Sequence, residues 1–217
     1  MVEGLYLVTD RELCGVRGVE SVVEQAVKGG VRYVQLREKD TTTRDFIELA
    51  ARIKDILAPM RVPLIINDRV DVALAVGADG VHVGQDDMPY QTARRIMGPS
   101  ALIGLSVESW DDVVAAQSLD VDYLGVSPVF STPTKTDTKG VWGLEGLARI
   151  RAYSRHPLVG IGGINAANTE AVVKAGADCV AVVSAICAAE DPRLAAKDLD
   201  AIVQGALSKY ALRTAKS

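Results

Sequence analysis

Short apolar segments alternate with helical segments along almost the whole chain, and this alternation limits the folds that it can adopt. Eight segments are predicted as strands: Leu5–Thr9, Tyr33–Arg37, Leu64–Asn67, Gly80–Val83, Leu102–Val107, Tyr123–Val126, Leu158–Ile161 and Cys179–Ser184. Helices are predicted between and after them: Val19–Lys28, Thr43–Leu57, Asp71–Val76, Tyr90–Met97, Trp110–Ser118, Leu144–Tyr153, Thr169–Ala175 and Asp191–Tyr210. Mostly apolar strands that alternate with helices are typical of a parallel sheet covered by helices.

Eight such units close naturally into a barrel, and 217 residues suit one domain of that kind. The alternative is an open, doubly wound sheet, which usually carries a G-x-G-x-x-G turn after its first strand. The first turn here reads Thr9-Asp-Arg-Glu-Leu-Cys and lacks that pattern. We predict a single (β/α)8 TIM barrel over residues 1–217, with a frayed tail from about residue 211.

Composition argues against several classes of protein. The formal net charge is −4, whereas nucleic-acid-binding domains are usually basic. No apolar run approaches the roughly 20 residues that cross a bilayer. Cys14, Cys179 and Cys187 are odd in number and follow no metal-ligand spacing, which fits packing residues in a reducing compartment. We predict a cytoplasmic protein without nucleic-acid or membrane partners, and the sequence leaves open whether it is a homo-oligomer.

The second strand ends in an unusual polar face. Side chains alternate along a strand, so Gln35, Arg37 and Lys39 share one side, while Leu36 and Glu38 point the other way. Two cations at the carboxyl end of an apolar strand are costly to bury without a partner. Because barrel chemistry takes place at that end of the strands, the pattern predicts an anionic ligand.

The next two strand ends carry carboxylates. Strand three ends in Asn67-Asp68, and strand four is followed by Gly84-Gln-Asp-Asp87. Each aspartate taken alone is explained by capping of the following helix. Carboxylates on neighbouring strands, completed by water and substrate oxygens, are how Mg²⁺ is usually held, and we favour a metal site.

The remaining strand ends add hydroxyl groups and glycines. Strand five offers Ser106, and strand six leads into the long loop from Ser127 to Gly140, which is rich in hydroxyl groups and lysine. Strands seven and eight lead into Gly162-Gly163 and Val183-Ser184, in the two loops that commonly bind phosphate in this fold. Tight turning or a solvated loop is the structural alternative in each case. The pattern favours two separate anion sites, and hence two phosphorylated substrates.

Taken together, these segments resemble the thiamine phosphate synthase family. The resemblance rests on Gln35-Leu-Arg-Glu-Lys39, Asn67-Asp68, Gly84-Gln-Asp-Asp87, Thr132-Pro-Thr134-Lys135, Gly162-Gly163-Ile164 and Val183-Ser184. Each motif is weak alone, but the ordered set spans Tyr6 to Ile186 and is specific. The resemblance implies an enzyme, a transferase that joins a hydroxymethylpyrimidine diphosphate to a thiazole phosphate and releases diphosphate.

The resemblance also implies roles for individual residues. The pyrimidine diphosphate is expected at Gln35, Leu36, Arg37, Glu38, Lys39, Asn67, Ser106 and Lys135, and the thiazole phosphate at Thr132, Pro133, Thr134, Gly163, Val183 and Ser184. Mg²⁺ is expected between Asp68 and Asp87. In a dissociative reaction, Arg37, Lys39, Lys135 and Mg²⁺ would stabilise charge growing on the leaving diphosphate. The role of Asp86 is left open.

Two other functions compete with this interpretation. A related thiazole tautomerase needs an acid/base group, typically histidine, and no metal site, which the Asp68/Asp87 pair disfavours. A barrel that binds a phosphorylated ligand without catalysis is expected to lack a metal ligand or Lys135. His82 and His156 are both interpreted as structural. The loop from Phe130 to Gly140 is expected to close over bound substrates and exclude water.

Overall fold

Eight parallel strands form a closed barrel in the computed structural model, which describes residues 2–132 and 140–214. The strands are β1 Gly4–Val8, β2 Tyr33–Leu36, β3 Leu64–Asn67, β4 Gly80–Val83, β5 Leu102–Val107, β6 Tyr123–Val126, β7 Leu158–Gly160 and β8 Cys179–Val182. Each strand pairs with its neighbour in sequence, and β8 closes the barrel on β1. The predicted (β/α)8 barrel is confirmed.

Ten α-helices lie within the described residues: α1 Arg11–Cys14, α2 Gly18–Lys28, α3 Thr43–Leu57, α4 Val70–Val76, α5 Tyr90–Met97, α6 Trp110–Ala116, α7 Gly143–Tyr153, α8 Thr169–Lys174, α9 Ser184–Cys187 and α10 Pro192–Thr214. Short 3-10 turns add Gly15–Arg17 and Ala58–Met60. No helix in these ranges combines the length and apolar character needed to cross a membrane.

Apart from shifts of one or two residues at the ends of other elements, three details differ from the predicted elements. Ser184 begins α9 instead of ending the last strand, and α1 and α9 were not predicted. Each of these two helices has four residues, which is too short to give a helical period in sequence. The last helix continues to Thr214, beyond the predicted end at Tyr210.

Local sequence explains where several helices begin. Thr42 accepts a hydrogen bond from the backbone N–H of Asp45 at 3.1 Å and so caps α3. Ser109 and Asp112 cap α6 reciprocally: the Ser109 hydroxyl accepts from Asp112 N at 3.2 Å, and the Asp112 carboxylate accepts from Ser109 N at 2.8 Å. Each cap satisfies backbone donors that have no partner inside the helix.

Aspartates also fasten the amino-terminal end of the barrel. One aspartate lies just before each of β4, β6 and β8, and its carboxylate accepts the backbone N–H at the beginning of the preceding strand. The distances are 2.8 Å from Leu64 N to Asp79, 2.8 Å from Ile103 N to Asp122 and 2.7 Å from Leu158 N to Asp178. Carboxylates at this end therefore stabilise strand pairing, as expected for the face opposite the chemistry.

Alternation along the strands separates two apolar layers. Leu5 and Leu7 of β1 pack with the helices in the outer layer, whereas Tyr6 and Val8 face the barrel interior. The interior layer also contains Ile65, Tyr123, Val159, Cys179 and Ala181. This layer fills the lower part of the barrel, so the functional cavity has a packed floor instead of an open pore.

Candidate active site

A cavity of about 390 Å³ opens at the carboxyl ends of the strands. Residues assigned from sequence come together in its wall, although they lie far apart along the chain. They are Gln35, Arg37, Lys39, Asn67, Asp68, Asp87, Ser106, Thr132, Gly163, Val183 and Ser184. Pro133, Thr134 and Lys135 belong to the same assignment but lie outside the described residues, as does most of the loop expected to close over substrates.

Strand alternation divides the Gln35–Lys39 segment between two environments. Gln35, Arg37 and Lys39 line the cavity, whereas Leu36 is fully buried in the outer apolar layer. Glu38 turns away as well, because Arg11 Nε donates to its Oε2 at 2.7 Å. The side chains of Leu36 and Glu38 are therefore removed from the predicted substrate site.

Glu38 forms part of the support behind that site. Its side chain is only 2% exposed, and Oε1 is buried without a hydrogen-bond partner in the described part of the chain. The ion pair joins the beginning of α1 to the segment that follows β2. Because Arg37 and Lys39 flank Glu38, the pair helps to fix the direction in which the two cations project.

The carboxylates assigned to a metal lie side by side. The pKa of Asp87 is raised by burial and by the neighbouring Asp68 carboxylate. Backbone N–H of Gly84 donates to Asp87 Oδ2 at 2.8 Å, and Lys39 Nζ lies 2.7 Å from Asp68 Oδ2. A divalent cation between two neighbouring carboxylates would stabilise the ionised form of Asp87.

Asp68 takes a backbone conformation that few residues adopt. Its φ of 62° is in the left-handed region, and its N–H donates to the carbonyl of His82 at 2.8 Å. Aspartate and asparagine tolerate this region better than other residues with a side chain. In this conformation the Asp68 carboxylate lines the cavity. Backbone strain of this kind is common at functional sites.

No cluster of three or more histidine, cysteine or acidic residues suited to a metal is found within the described ranges. Asp68 and Asp87 together offer carboxylate oxygens on one side of the cavity. Mg²⁺ usually takes one or two carboxylates and completes its octahedron with water and substrate phosphate. The donor set fits Mg²⁺ bound together with a phosphorylated ligand.

The opposite side of the cavity is formed by backbone that carries few side chains. Gly162 and Gly163 follow β7 with φ values of 103° and 63°. A Cβ on Gly163 would lie 2.7 Å from the carbonyl oxygen of Ser131, so the turn has no room for one. Asn168 donates from Nδ2 to Gly163 O at 2.9 Å and fixes the turn. Val183 and Ser184 complete this wall.

Three residues that were not assigned from sequence form part of the cavity floor: Tyr6, His82 and Tyr123. Tyr6 and Tyr123 join their hydroxyl groups at 2.9 Å, and burial raises the pKa of both. His82 lies 3.1 Å from Tyr123 OH through Nδ1 and 2.9 Å from Ser106 Oγ through Nε2. His82, which the sequence suggested to be structural, thus contacts the site residue Ser106 and lines the cavity.

His156 is buried away from the cavity. Its Nε2 lies 3.0 Å from the carbonyl oxygen of Ala116, and burial lowers its pKa. The structural role predicted for His156 agrees with this position. The difference between the two histidines was available from strand alternation, since His82 lies between the outward-facing Val81 and Val83.

Comparison with known proteins identifies the family to which this sequence is similar. The family model for thiamine monophosphate synthase matches residues 5–186. A thiamine-phosphate synthase of Albidiferax ferrireducens is 57% identical over 199 residues, which are 92% of this chain and 91% of that protein. One of Leptospira biflexa is 54% identical over 196 residues, 88% of this chain and 93% of that protein.

A solved structure with the same named activity as these relatives superposes on this chain. Thiamine phosphate pyrophosphorylase from Pyrococcus furiosus superposes with a TM-score of 0.87 at 40% identity, over 94% of this chain and 96% of that chain. A 3-hexulose-6-phosphate synthase, at 20% identity and a TM-score of 0.70, shares the fold. The family match spans every strand and every described wall of the cavity, and the chain belongs to the thiamine monophosphate synthase family.

Proposed function

We propose that this chain is a thiamine-phosphate synthase that joins a hydroxymethylpyrimidine diphosphate to a thiazole phosphate. The products are thiamine phosphate and diphosphate. One observation supports this most strongly: a single cavity has Arg37 and Lys39 beside two carboxylates on one side and the Gly162–Gly163 turn on the other. Two chemically different anion sites facing one space suit two phosphorylated substrates that react with each other.

The cationic side is assigned to the diphosphate. Arg37 and Lys39 supply positive charge, and Asn67 is 8% exposed and offers an amide to a phosphate oxygen. No carboxylate among the described residues forms an ion pair with Arg37, so its guanidinium can bind a ligand anion. Lys135 joins this group by family resemblance. Mg²⁺ held by Asp68 and Asp87 would supply Lewis-acid stabilisation of the negative charge on diphosphate oxygens.

The reaction requires that the bond between the pyrimidine methylene carbon and the diphosphate oxygen breaks, with its electron pair leaving on diphosphate. The cation that remains is delocalised into the aminopyrimidine ring, and the thiazole nitrogen then donates its lone pair to the methylene carbon. Arg37 and Lys39 stabilise the departing charge because they are held in place before the bond breaks. These steps require no nucleophile from the protein.

The other parts of the cavity orient the two rings. Gln35 and Ser106 are assigned to the pyrimidine, above the aromatic floor. Thr132, Gly163, Val183 and Ser184 are assigned to the thiazole phosphate, with Pro133 and Thr134 added by family resemblance. Such positioning accounts for much of the rate gain when two bound reactants must meet in one geometry.

A cytoplasmic location remains a prediction for this enzyme, and whether it forms a homo-oligomer stays open. The three cysteines are free and buried, which suits a reducing compartment. The substrates are small molecules, and the closed barrel holds the described site residues within one chain.

The substitution Asp68→Asn tests the metal assignment, because asparagine tolerates the left-handed backbone and removes only the charge. With both substrates and Mg²⁺, we expect wild-type protein to release diphosphate, and Asp68→Asn to lower kcat/KM by about 100-fold or more, as for loss of a transition-state charge partner. Asp55→Asn, on the exposed face of α3, is the matched control. Full activity of Asp68→Asn would contradict the metal assignment, and no diphosphate release by wild type with Mg²⁺ would contradict the synthase.

A further inference from the structure

A continuous chain of hydrogen bonds crosses the barrel interior beneath the cavity, from Gln35 on β2 to Ser106 on β5. Its contacts are Gln35 Nε2 to Tyr6 OH at 3.0 Å, Tyr6 OH to Tyr123 OH at 2.9 Å, Tyr123 OH to His82 Nδ1 at 3.1 Å and His82 Nε2 to Ser106 Oγ at 2.9 Å. We call this set the floor relay. Its two ends, Gln35 and Ser106, are assigned to the pyrimidine. Tyr6, Tyr123 and His82 lie between them and have no assigned function.

Donation that runs onward from Gln35 gives every hydroxyl proton of the floor relay an acceptor. Gln35 donates its amide N–H to Tyr6 OH, so the Tyr6 proton is available to Tyr123 OH. In the same direction, the Tyr123 hydroxyl donates to His82 Nδ1. A neutral imidazole that accepts at Nδ1 carries its proton at Nε2 and donates it to Ser106 Oγ.

We infer that the floor relay holds His82 as the neutral Nε2–H tautomer and thereby sets Ser106 as a hydrogen-bond donor and Gln35 Oε1 as an acceptor toward the substrate. This inference rests on the proposed function for the identity of the ring above the relay. An aminopyrimidine presents an amino donor beside a ring-nitrogen acceptor, and the two ends of the relay match those groups. Tyr6, Tyr123 and His82 are positioning residues that act through Gln35 and Ser106.

The packing around the floor relay keeps this arrangement rigid. Tyr6 and Tyr123 are each 1% exposed, and the rings of His82 and Tyr123 stack with centroids 5.5 Å apart. Glycines make room for them: a Cβ on Gly104 would lie 2.5 Å from His82 Nδ1, and one on Gly125 would lie 2.9 Å from His82 Cε1. Glycines on the neighbouring strands β5 and β6 therefore leave space for the histidine ring.

The opposite direction is the alternative that an experiment must exclude. If the Gln35 amide were turned by 180°, its oxygen would accept from Tyr6, and every proton in the relay would reverse. His82 would then carry its proton at Nδ1, Ser106 would donate to His82 instead of to the substrate, and Gln35 would present an N–H. The tautomer of His82 therefore reports the direction of the whole relay.

Nitrogen-15 NMR of the histidine-labelled protein measures that tautomer directly. The chain has two histidines, and His156 is an internal reference because its Nε2 faces a carbonyl and must be protonated. We expect both histidines to show a protonated Nε2 and His82 to show an unprotonated Nδ1, with His82→Asn used to assign the signals. A protonated Nδ1 on His82 would overturn the proposal. The measurement needs no substrate, so its outcome is independent of whether the proposed synthase activity is found.

Kinetics then test the coupling to substrate. Tyr123→Phe removes the hydroxyl that links Tyr6 to His82, and kcat/KM for the pyrimidine diphosphate should fall about threefold to tenfold, as expected for a lost neutral hydrogen bond. The KM for the thiazole phosphate should not change. Tyr33→Phe is the matched control, since Tyr33 packs on Tyr6 with centroids 5.6 Å apart and its contact is to the backbone of Glu3.

A pair of conservative variants separates positioning from packing. The amide nitrogen of His82→Gln can reach the place of Nε2 and donate to Ser106, whereas that of His82→Asn is too short. We expect His82→Gln to retain more kcat/KM for the pyrimidine diphosphate than His82→Asn at equal thermal stability. Equal losses in the two variants, or equal effects of Tyr123→Phe and Tyr33→Phe, would refute a role in positioning.

Discussion

The substitution Gly104→Ala places a methyl group in the most crowded part of the barrel interior. Its Cβ would lie 2.1 Å from Cζ and 2.4 Å from OH of Tyr123. Carbon atoms in contact prefer about 3.5–4.0 Å, so the ring must move by about 1.4 Å or more. Tyr123 is 1% exposed, and its hydroxyl contacts both Tyr6 OH and His82 Nδ1, so a moved ring loses these contacts.

The expected loss follows from overpacking and from the hydrogen bonds that move with the ring. Overpacking of a well-packed core costs about 1–3 kcal/mol, and each lost neutral hydrogen bond about 1 kcal/mol. We expect the free energy of unfolding to fall by about 3 kcal/mol, which for a domain of this size lowers Tm by about 6–12 °C. Activity should fall as well, because the displaced ring carries the contact to His82.

Urea denaturation of Gly104→Ala and Gly205→Ala provides a matched comparison. Gly205 lies within α10 and is exposed, and a Cβ there meets nothing within 4 Å. Alanine is the better helix former, so Gly205→Ala should stabilise the protein by about 0.5–1 kcal/mol. If Gly104→Ala unfolded at the wild-type urea concentration with its His82 NMR signals unchanged, the packing argument would be wrong.

Two further substitutions test the support of the barrel. Burial lowers the pKa of His156, so the unfolded state takes up a proton first as the pH falls below about 6.5. Tm should therefore fall from pH 7 to pH 5, and His156→Gln should make Tm depend less on pH. An equal dependence of Tm on pH in the two proteins would contradict the role of His156. Asp178→Ala removes the acceptor of Leu158 N–H and should lower the free energy of unfolding by about 1–3 kcal/mol, with KM for both substrates unchanged because Asp178 lies at the opposite end of the barrel. A raised KM at equal stability would place Asp178 in the site.

The strands could be predicted almost to the residue because each is a short apolar run bounded by glycine, proline or polar residues. The predicted bounds of β3, β4, β5 and β6 agree with the structure. Ser184 was misplaced because Val182, Val183 and Ser184 continue the apolar pattern of β8 in sequence. The strand ends at Val182 and the backbone at Val183 has φ −115° and ψ −83°, a change that no local pattern in the sequence marks.

Part of the cavity wall could also be predicted from the sequence. Strand ends identified Arg37, Lys39, Asp68 and Asp87, since charged side chains after apolar strands are conspicuous. Treating Gln35–Lys39 as one binding segment ignored the alternation that turns Glu38 toward Arg11. The floor was missed because tyrosine in an apolar strand suggests packing, and only the closed barrel brings Tyr6 to Tyr123 across 117 positions of sequence.

The aspartates at the two ends of the barrel differ in how well the fold itself satisfies them, and this difference supports the assignment of function. At the amino-terminal end, Asp79, Asp122 and Asp178 each accept a backbone N–H and so complete the strand pairing. At the other end, Asp87 accepts from Gly84 N–H and Asp68 pairs with Lys39, yet Asp68 has a left-handed backbone, and burial together with the Asp68 carboxylate still raises the pKa of Asp87. Both features cost stability in the protein alone. A bound cation and diphosphate would reverse the electrostatic part of that cost, because positive charge between the carboxylates favours their ionised forms. The unfavourable placement of this pair therefore points to a ligand, whereas the satisfied set below needs only the barrel.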